Sequence, residues 1–156
     1  VVDAVKIPVI AAGGIADGRG IAAAFMLGAE AVQMGTRFVA TQECNVHENY
    51  KQFVLKAKDI DTRVTGRTTG HPVRTLRNPM TKEYLEKEAA GASFEELELL
   101  TLGGLRKAVV DGDVKTGSVM SGQIAGMVKD EKSCKEIIEQ MMNEMEELLK
   151  GAPARL

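Results

Sequence analysis

Two glycine-containing turns are the part of this sequence best suited to chemistry. Gly13 and Gly14 follow one short apolar segment, and Gly35 and Thr36 follow a second. Glycine has no Cβ, so its main-chain N–H can approach an anion closely, and the Thr36 hydroxyl can add a further hydrogen bond. Two such turns brought together would hold a single phosphate group. The pattern therefore predicts a phosphate-binding site.

The same turns do not match the common nucleotide-binding motifs. Residues 13–20 (GGIADGRG) lack the G-x-G-x-x-G spacing, and they do not supply the lysine of a P-loop. The two cysteines, Cys44 and Cys134, lack metal-ligand spacing. We therefore predict no metal site and interpret both cysteines as reduced thiols.

The elements that must position the turns form a strand–helix–strand unit. Residues 8–12 and 31–34 are short apolar segments typical of parallel strands, the first expected to be covered on both faces. Between them, residues 18–27 have a helical pattern that Gly28 ends. Parallel strands joined by a helix bring their carboxyl ends to one edge, where α/β proteins bind ligands. We expect the two turns to converge there.

The rest of the chain is predicted to be mainly helical. Capping patterns at Asn45, Ser93 and Ser133 indicate helix starts. The predicted helices span residues 46–57, 82–90, 94–101, 105–110, 122–129 and 133–150. Residues 62–69 and 114–119 are predicted to be extended, and residues 70–74 a loop. The last helix carries an apolar stripe formed by Ile137, Ile138, Met141, Met142, Met145, Leu148 and Leu149.

Composition limits the classes of partner. The chain has 156 residues, a net charge of −2 and 44% apolar residues, which is typical of a soluble globular domain. It has no basic tract suited to nucleic acid and no apolar run of membrane-spanning length. We expect a cytoplasmic protein that binds neither. The chain opens at Val1, directly before a strand, which predicts that it is the back part of a longer protein.

Longer segments around the turns resemble a known family. Residues 7–18 (IPVIAAGGIADG) and 27–38 (LGAEAVQMGTRF) are similar to the FMN-phosphate segments of the nitronate monooxygenase superfamily. Residues 70–74 (GHPVR) and 112–126 (GDVKTGSVMSGQIAG) resemble, within that superfamily, the bacterial type II flavin-dependent enoyl-acyl-carrier-protein reductase. The resemblance covers nearly the whole chain and only the back half of that enzyme.

This resemblance implies a set of FMN-binding residues. They would hold the phosphate from the two strand ends and approach the flavin from a later turn. The set comprises Gly13, Gly14, Gln33, Met34, Gly35, Thr36 and Gln123. The family's catalytic histidine precedes Val1, so the resemblance implies no catalytic residue in this chain. We interpret His47 as a surface residue. We expect His71 to hold its loop through a ring hydrogen bond, with the alternative that it lines the mouth of the substrate or cofactor site.

The resemblance also implies an architecture and an activity. The α/β fold would be the C-terminal part of a (β/α)8 TIM barrel, with its last two strands in residues 1–44. Residues 45–120 would form a mainly helical substrate-side region, and residues 121–156 helices that pack back on the barrel. The complete enzyme would use FMN and NADH to reduce the enoyl double bond of acyl chains linked to acyl carrier protein. Its N-terminal half would be the chain's missing partner, and the complete enzyme would be a homodimer.

Two alternatives stay open at this point. A nitronate monooxygenase would have the same barrel and flavin, with oxygen as the acceptor. The chain would instead be an inactive half-barrel if it occurs alone, because two strands cannot close a barrel and their edges stay unpaired.

Overall fold

The computed structural model describes residues 1–155, which form a mixed α/β fold. The strands are β1 (Ile10–Ala12), β2 (Ala31–Gln33), β3 (Thr62–Thr65) and β4 (Val73–Leu76). The helices are α1 (Gly18–Met26), α2 (Thr36–Val39), α3 (Glu48–Leu55), α4 (Pro79–Ala89), α5 (Phe94–Thr101), α6 (Gly104–Val109) and α7 (Cys134–Gly151). Short 3₁₀ helices span Val2–Ala4, Gln123–Met127 and Pro153–Arg155.

The predicted parallel strand–helix–strand unit is confirmed. Strands β1 and β2 pair in parallel, with Ile10 opposite Ala31. Helix α1 starts where the Asp17 carboxylate accepts a hydrogen bond from Gly20 N–H, and it ends before Gly28, whose φ of 91° suits glycine. The two strands form a two-stranded sheet within the described residues. The prediction that β1 is covered on both faces is wrong here, since Ile10 is 60% exposed.

Helix α7 packs closely on α1 through a glycine. A Cβ on Gly18 would lie 2.7 Å from both the Glu144 Cβ and the Met145 nitrogen, so only glycine fits without a backbone shift. The Glu144 carboxylate accepts a hydrogen bond from Gly18 N–H at 2.8 Å. The predicted stripe of α7 is buried at Ile137, Met141 and Met145, and partly buried at Leu148 and Leu149. The buried stripe is narrower than predicted, because Ile138 and Met142 are exposed.

The middle of the chain contains an antiparallel hairpin that the sequence predicts only in part. Strand β3 pairs with β4, with Thr65 opposite Val73. The loop predicted at residues 70–74 is therefore wrong at Val73 and Arg74, because cross-strand hydrogen bonds order these two residues. The segment that follows helix α6 lies beside β4. There, Leu76 N–H donates a hydrogen bond to Val119 O, and Ser121 N–H donates one to Arg74 O. Residues 114–119, predicted to be extended, are mostly turn instead.

Helix starts follow the capping patterns in two of three cases. The boxes at Ser93 with Glu96 and at Ser133 with Glu136 are confirmed. Helix α3 instead begins after His47, not Asn45. Helix α4 begins at Pro79, earlier than predicted, because the buried Asn78 side chain caps it. Residues 123–127 are a 3₁₀ helix rather than the predicted α-helix.

In residues 1–155, no helix has both the length and the apolar composition needed to cross a membrane.

Candidate functional site

The two glycine turns lie side by side at one edge of the parallel sheet. Ala12 at the end of β1 is opposite Gln33 at the end of β2. The chain therefore passes into Gly13 and Gly14 on one side and into Gly35 and Thr36 on the other, at the carboxyl edge. This is the convergence predicted from the sequence.

The first turn has a backbone that glycine alone adopts easily. Gly13 has φ of 89° and Gly14 has φ of 77°, both in the left-handed region. A Cβ built on either residue would have no heavy atom within 4 Å. Glycine is therefore required by the conformation and not by protein packing. The turn leaves open space beside its main chain, and a ligand group could occupy that space.

The second turn offers main-chain donors at a helix start. Gly35 is the N-cap of α2 and Thr36 is its first residue. Within residues 1–155, the N–H groups of Gly14, Gly35 and Thr36 donate no hydrogen bond to another residue. A Cβ on Gly35 would also meet nothing within 4 Å. Free N–H groups around open space suit an anion with several acceptor oxygens.

The segment around Gln123 lies close to the two glycine turns. Gly122 N–H donates a hydrogen bond to Thr36 Oγ1 at 2.7 Å, which places the following 3₁₀ helix beside α2. Gln123 and Gly14 then line one cavity of about 380 Å³, together with Asp59, Ile124, Gly126 and Met127. Because Thr36 Oγ1 serves as an acceptor for Gly122, its hydroxyl proton is left for a ligand.

Gln33 and Met34 occupy different environments. The Gln33 side chain is exposed at the end of β2. Met34 packs instead against the apolar cluster that α1 and α7 form, so its side chain points away from the turns. Met34 can therefore contribute to an anion site only through its main chain.

Ion pairs to Asp130 stabilise the position of helix α2, which begins at the second turn. The buried Arg37 guanidinium on α2 contacts Asp130 Oδ1 at 2.5 Å and also donates to Asp130 O. The hydrogen bond from Lys132, together with the Arg37 charge, holds the pKa of Asp130 below its usual range. These contacts fix α2 to the segment that follows the Gln123 turn.

Tyr50 is a supporting residue that the sequence analysis missed. Its hydroxyl donates to Met120 O at 2.5 Å, so it fixes the main chain just before Ser121 and Gly122. Burial raises the pKa of Tyr50 to about 12, and the nearby Cys44 adds to this. Tyr50 therefore remains a neutral donor at physiological pH. Its spacing of four from Val54 on α3 indicates a buried face, but no local pattern identifies its partner 70 positions away.

The two histidines lie outside the phosphate turns, in different environments. His47 caps α3, where its Nδ1 accepts a hydrogen bond from Asn49 N–H at 3.0 Å, and it packs against Gly112. The expected ring hydrogen bond of His71 is wrong: within the described residues, its ring packs on Phe94 instead, with 5.7 Å between ring centroids. No cluster of three or more His, Cys, Asp or Glu side chains suited to a metal is found in that same part of the chain.

The turns fit the phosphate of a flavin mononucleotide. Three glycines border open space, and three N–H groups are free to donate beside a threonine hydroxyl. A phosphate ester needs several donors and no bulky side chain, and these turns provide both. A metal ion would need carboxylate or imidazole ligands, and the turns themselves supply none.

Comparison with known sequences identifies the family. The sequence profile of nitronate monooxygenases matches residues 1–144. A probable nitronate monooxygenase of Staphylococcus saprophyticus is 34% identical over 148 residues, which is 95% of this chain and 41% of that protein. One from Staphylococcus aureus is 40% identical over 124 residues, 79% of this chain and 35% of that protein. The chain thus spans less than half the length of these relatives.

Comparison with solved structures agrees with this family assignment. FabK of Thermotoga maritima, an enoyl-acyl-carrier-protein reductase II, is 50% identical with a TM-score of 0.93, over 100% of this chain and 50% of that one. Nitroalkane oxidase of Streptomyces ansochromogenes is 32% identical with a TM-score of 0.76, over 96% of this chain and 42% of that one. The chain belongs to the nitronate monooxygenase family of oxidoreductases, and its structure resembles half of FabK.

Proposed function

We propose that this chain supplies the FMN-phosphate half of an NADH-using enoyl-acyl-carrier-protein reductase. The observation that carries the proposal is that Gly14 and Gln123, from segments far apart in the chain, line one cavity, and that Gly122, next to Gln123, donates a hydrogen bond to Thr36 at the end of β2. The 50% identity to FabK over the whole chain supports the choice of reductase.

Each residue has a defined task in this proposal. The N–H groups of Gly13, Gly14, Gly35 and Thr36 bind the phosphate, and the Thr36 hydroxyl donates to it. Gln33 and the Met34 main chain border this group, while Gln123 closes the other side of the cavity. Bound FMN supplies the hydride chemistry, and the protein supplies position and electrostatics.

The complete reaction belongs to a longer protein. We propose that an N-terminal half carries the catalytic histidine and closes a (β/α)8 barrel against the edges of β1 and β2. The substrate is an enoyl chain on acyl carrier protein, NADH is the reductant, and the complete enzyme is a homodimer in the cytoplasm. The region of residues 45–120 lies on the substrate side.

The reductase is favoured over a nitronate monooxygenase by degree of similarity. FabK of Thermotoga maritima exceeds the Streptomyces nitroalkane oxidase in identity, 50% against 32%, and in TM-score, 0.93 against 0.76. Both proteins belong to a family of flavin-dependent oxidoreductases, so either activity would require the two turns to bind the flavin phosphate.

The test uses the chain alone and together with the N-terminal half of Thermotoga FabK. FMN binding is followed by quenching of flavin fluorescence, and turnover by NADH oxidation with crotonyl-coenzyme A. We expect FMN binding and turnover with both halves present, and no turnover by the chain alone.

Oxygen uptake with a nitronate, without enoyl reduction, would assign the monooxygenase activity instead. A pair of halves that assembles but binds no FMN would contradict the phosphate site itself.

A further inference from the structure

A second cavity, outside the phosphate site, lies in the middle of the chain. It has a volume of about 370 Å³ and lies between the β3–β4 hairpin and helices α4 to α6. All of its lining residues in this chain come from residues 65–120. Its volume is within the range of small-molecule sites, about 300–1,000 Å³.

Threonines line much of this cavity, but their hydroxyls are already used. Thr65 Oγ1 donates to Val73 O, Thr69 Oγ1 to Gly66 O, and Thr101 Oγ1 to Glu98 O. The hydroxyls are therefore satisfied within the protein. With Met80 and Leu105 beside them, these walls are largely apolar toward a ligand.

The hydroxyls of two largely buried residues have no such partner. Tyr84 and Ser118 are each 6% exposed and both line the cavity. No hydrogen bond of the Tyr84 or Ser118 hydroxyl to another residue occurs within residues 1–155. Since neither hydroxyl is sealed inside the protein, both are open to the cavity and free to form a hydrogen bond with a ligand's polar group.

The charges around the cavity favour a neutral ligand. Neither lysine nor arginine lines it, and Glu98 and His71 are exposed at its rim. An anion would enter beside the Glu98 carboxylate without a cationic partner. Burying an unpaired carboxylate is costly, whereas a carbonyl needs only a donor.

We propose that this cavity binds an uncharged aliphatic chain whose carbonyl or amide group accepts hydrogen bonds from Tyr84 and Ser118. This rests on the proposed function and deepens it, because an enoyl thioester on a carrier is such a chain. Met120 connects the two sites: it lines this cavity, and Gln123, shortly after it in the chain, lines the cavity of Gly14. A substrate at the flavin thus has a neighbouring apolar site for its neutral chain.

Isothermal titration of the purified chain with octanamide tests the proposal. Octanamide is neutral and has both an alkyl chain and an amide, and octanoate is its anionic counterpart. We expect octanamide to bind, and octanoate to bind at least about tenfold more weakly near neutral pH. Tyr84→Phe and Ser118→Ala should each weaken octanamide binding about threefold to tenfold, since each removes one hydrogen bond.

Thr101→Val is the matched control, because it removes a cavity hydroxyl that already serves the main chain. It should leave octanamide affinity unchanged. Equal affinity of wild type, Tyr84→Phe and Ser118→Ala would overturn the proposal, as would octanoate binding as tightly as octanamide. FMN titration of the chain together with the N-terminal half of Thermotoga FabK is independent of this result, so absence of octanamide binding with intact FMN binding rejects the cavity alone.

Discussion

Gly122 N–H donates a hydrogen bond to Thr36 Oγ1 at 2.7 Å, although the two residues are 86 positions apart. This contact ties the Gln123 turn to the end of β2, where the phosphate donors lie. It also sets the direction of the Thr36 hydroxyl, because the oxygen accepts from Gly122 and the proton points elsewhere. The Thr36 side chain therefore both stabilises the position of the Gln123 turn and contributes a donor to the proposed phosphate site.

Replacing Thr36 should therefore affect both stability and cofactor affinity. Thr36→Val removes the acceptor for Gly122 and the donor to phosphate, so we expect a loss of about 1 kcal/mol in unfolding free energy and about tenfold in FMN affinity. Thr36→Ser keeps the hydroxyl and should behave like wild type. Urea unfolding and flavin-fluorescence titration measure the two effects, and a Val variant that binds FMN normally would contradict the assigned role.

Gly14→Ala should abolish most FMN binding with little loss of fold. The φ of 77° costs an alanine about 1–2 kcal/mol, and the new methyl group enters the space proposed for the phosphate. Gly91→Ala is the matched control, because Gly91 has a φ of 82° and equally open surroundings at the end of α4. Both variants should lose similar stability in urea, and only Gly14→Ala should lose FMN affinity, by at least about tenfold. Equal FMN affinity of the two variants would argue against the site.

Ser121→Ala should keep or increase stability. The Ser121 hydroxyl is buried and has no hydrogen-bond partner in the described structure. Removing an unpaired buried hydroxyl removes its desolvation cost, so we expect a gain of up to about 1 kcal/mol in unfolding free energy. Thr81→Val is the contrasting variant, because Thr81 Oγ1 is buried and bonded to Leu76 O and Asn78 Oδ1. It should lose about 1–2 kcal/mol in the same urea titration, and a comparable loss in Ser121→Ala would reveal a partner for that hydroxyl.

Asp130→Asn should destabilise the protein in a pH-dependent way. The pKa of Asp130 is lowered in the folded state, so its contribution is complete above its ordinary value of 3.8 and disappears as pH falls through the lower folded value. Because its side chain is 44% exposed, we expect the variant to lose only about 1–2 kcal/mol near neutral pH.

The difference from wild type should shrink as the pH of the unfolding experiment is lowered below about 4. Glu139→Gln is the control, since its pair with Lys135 is exposed and should contribute nothing measurable. A difference for Asp130→Asn that stays constant down to acidic pH would contradict the ionic origin.

The features that could be predicted from the sequence depend on local interactions. The strand–helix–strand unit follows from apolar segments, a cap at Asp17 and a left-handed Gly28, all within a short stretch. The capping boxes of α5 and α7 depend on residues three positions apart. Such contacts close small loops at low entropic cost, so the pattern of residue types is enough to predict them. The approach of the two glycine turns followed from the rule for parallel strands.

Features that depend on distant partners could not be predicted, because they form only when the chain has folded. Val73 and Arg74 become strand because Thr65 and Val64 pair with them. His47 replaces Asn45 as the cap of α3, and it packs against Gly112 from far along the chain. The Thr36–Gly122 bond and the paired or unpaired state of the cavity hydroxyls likewise appear only after folding. Long-range contacts such as these override local preferences through burial and hydrogen bonding. The spacing of residues in the sequence does not predict them.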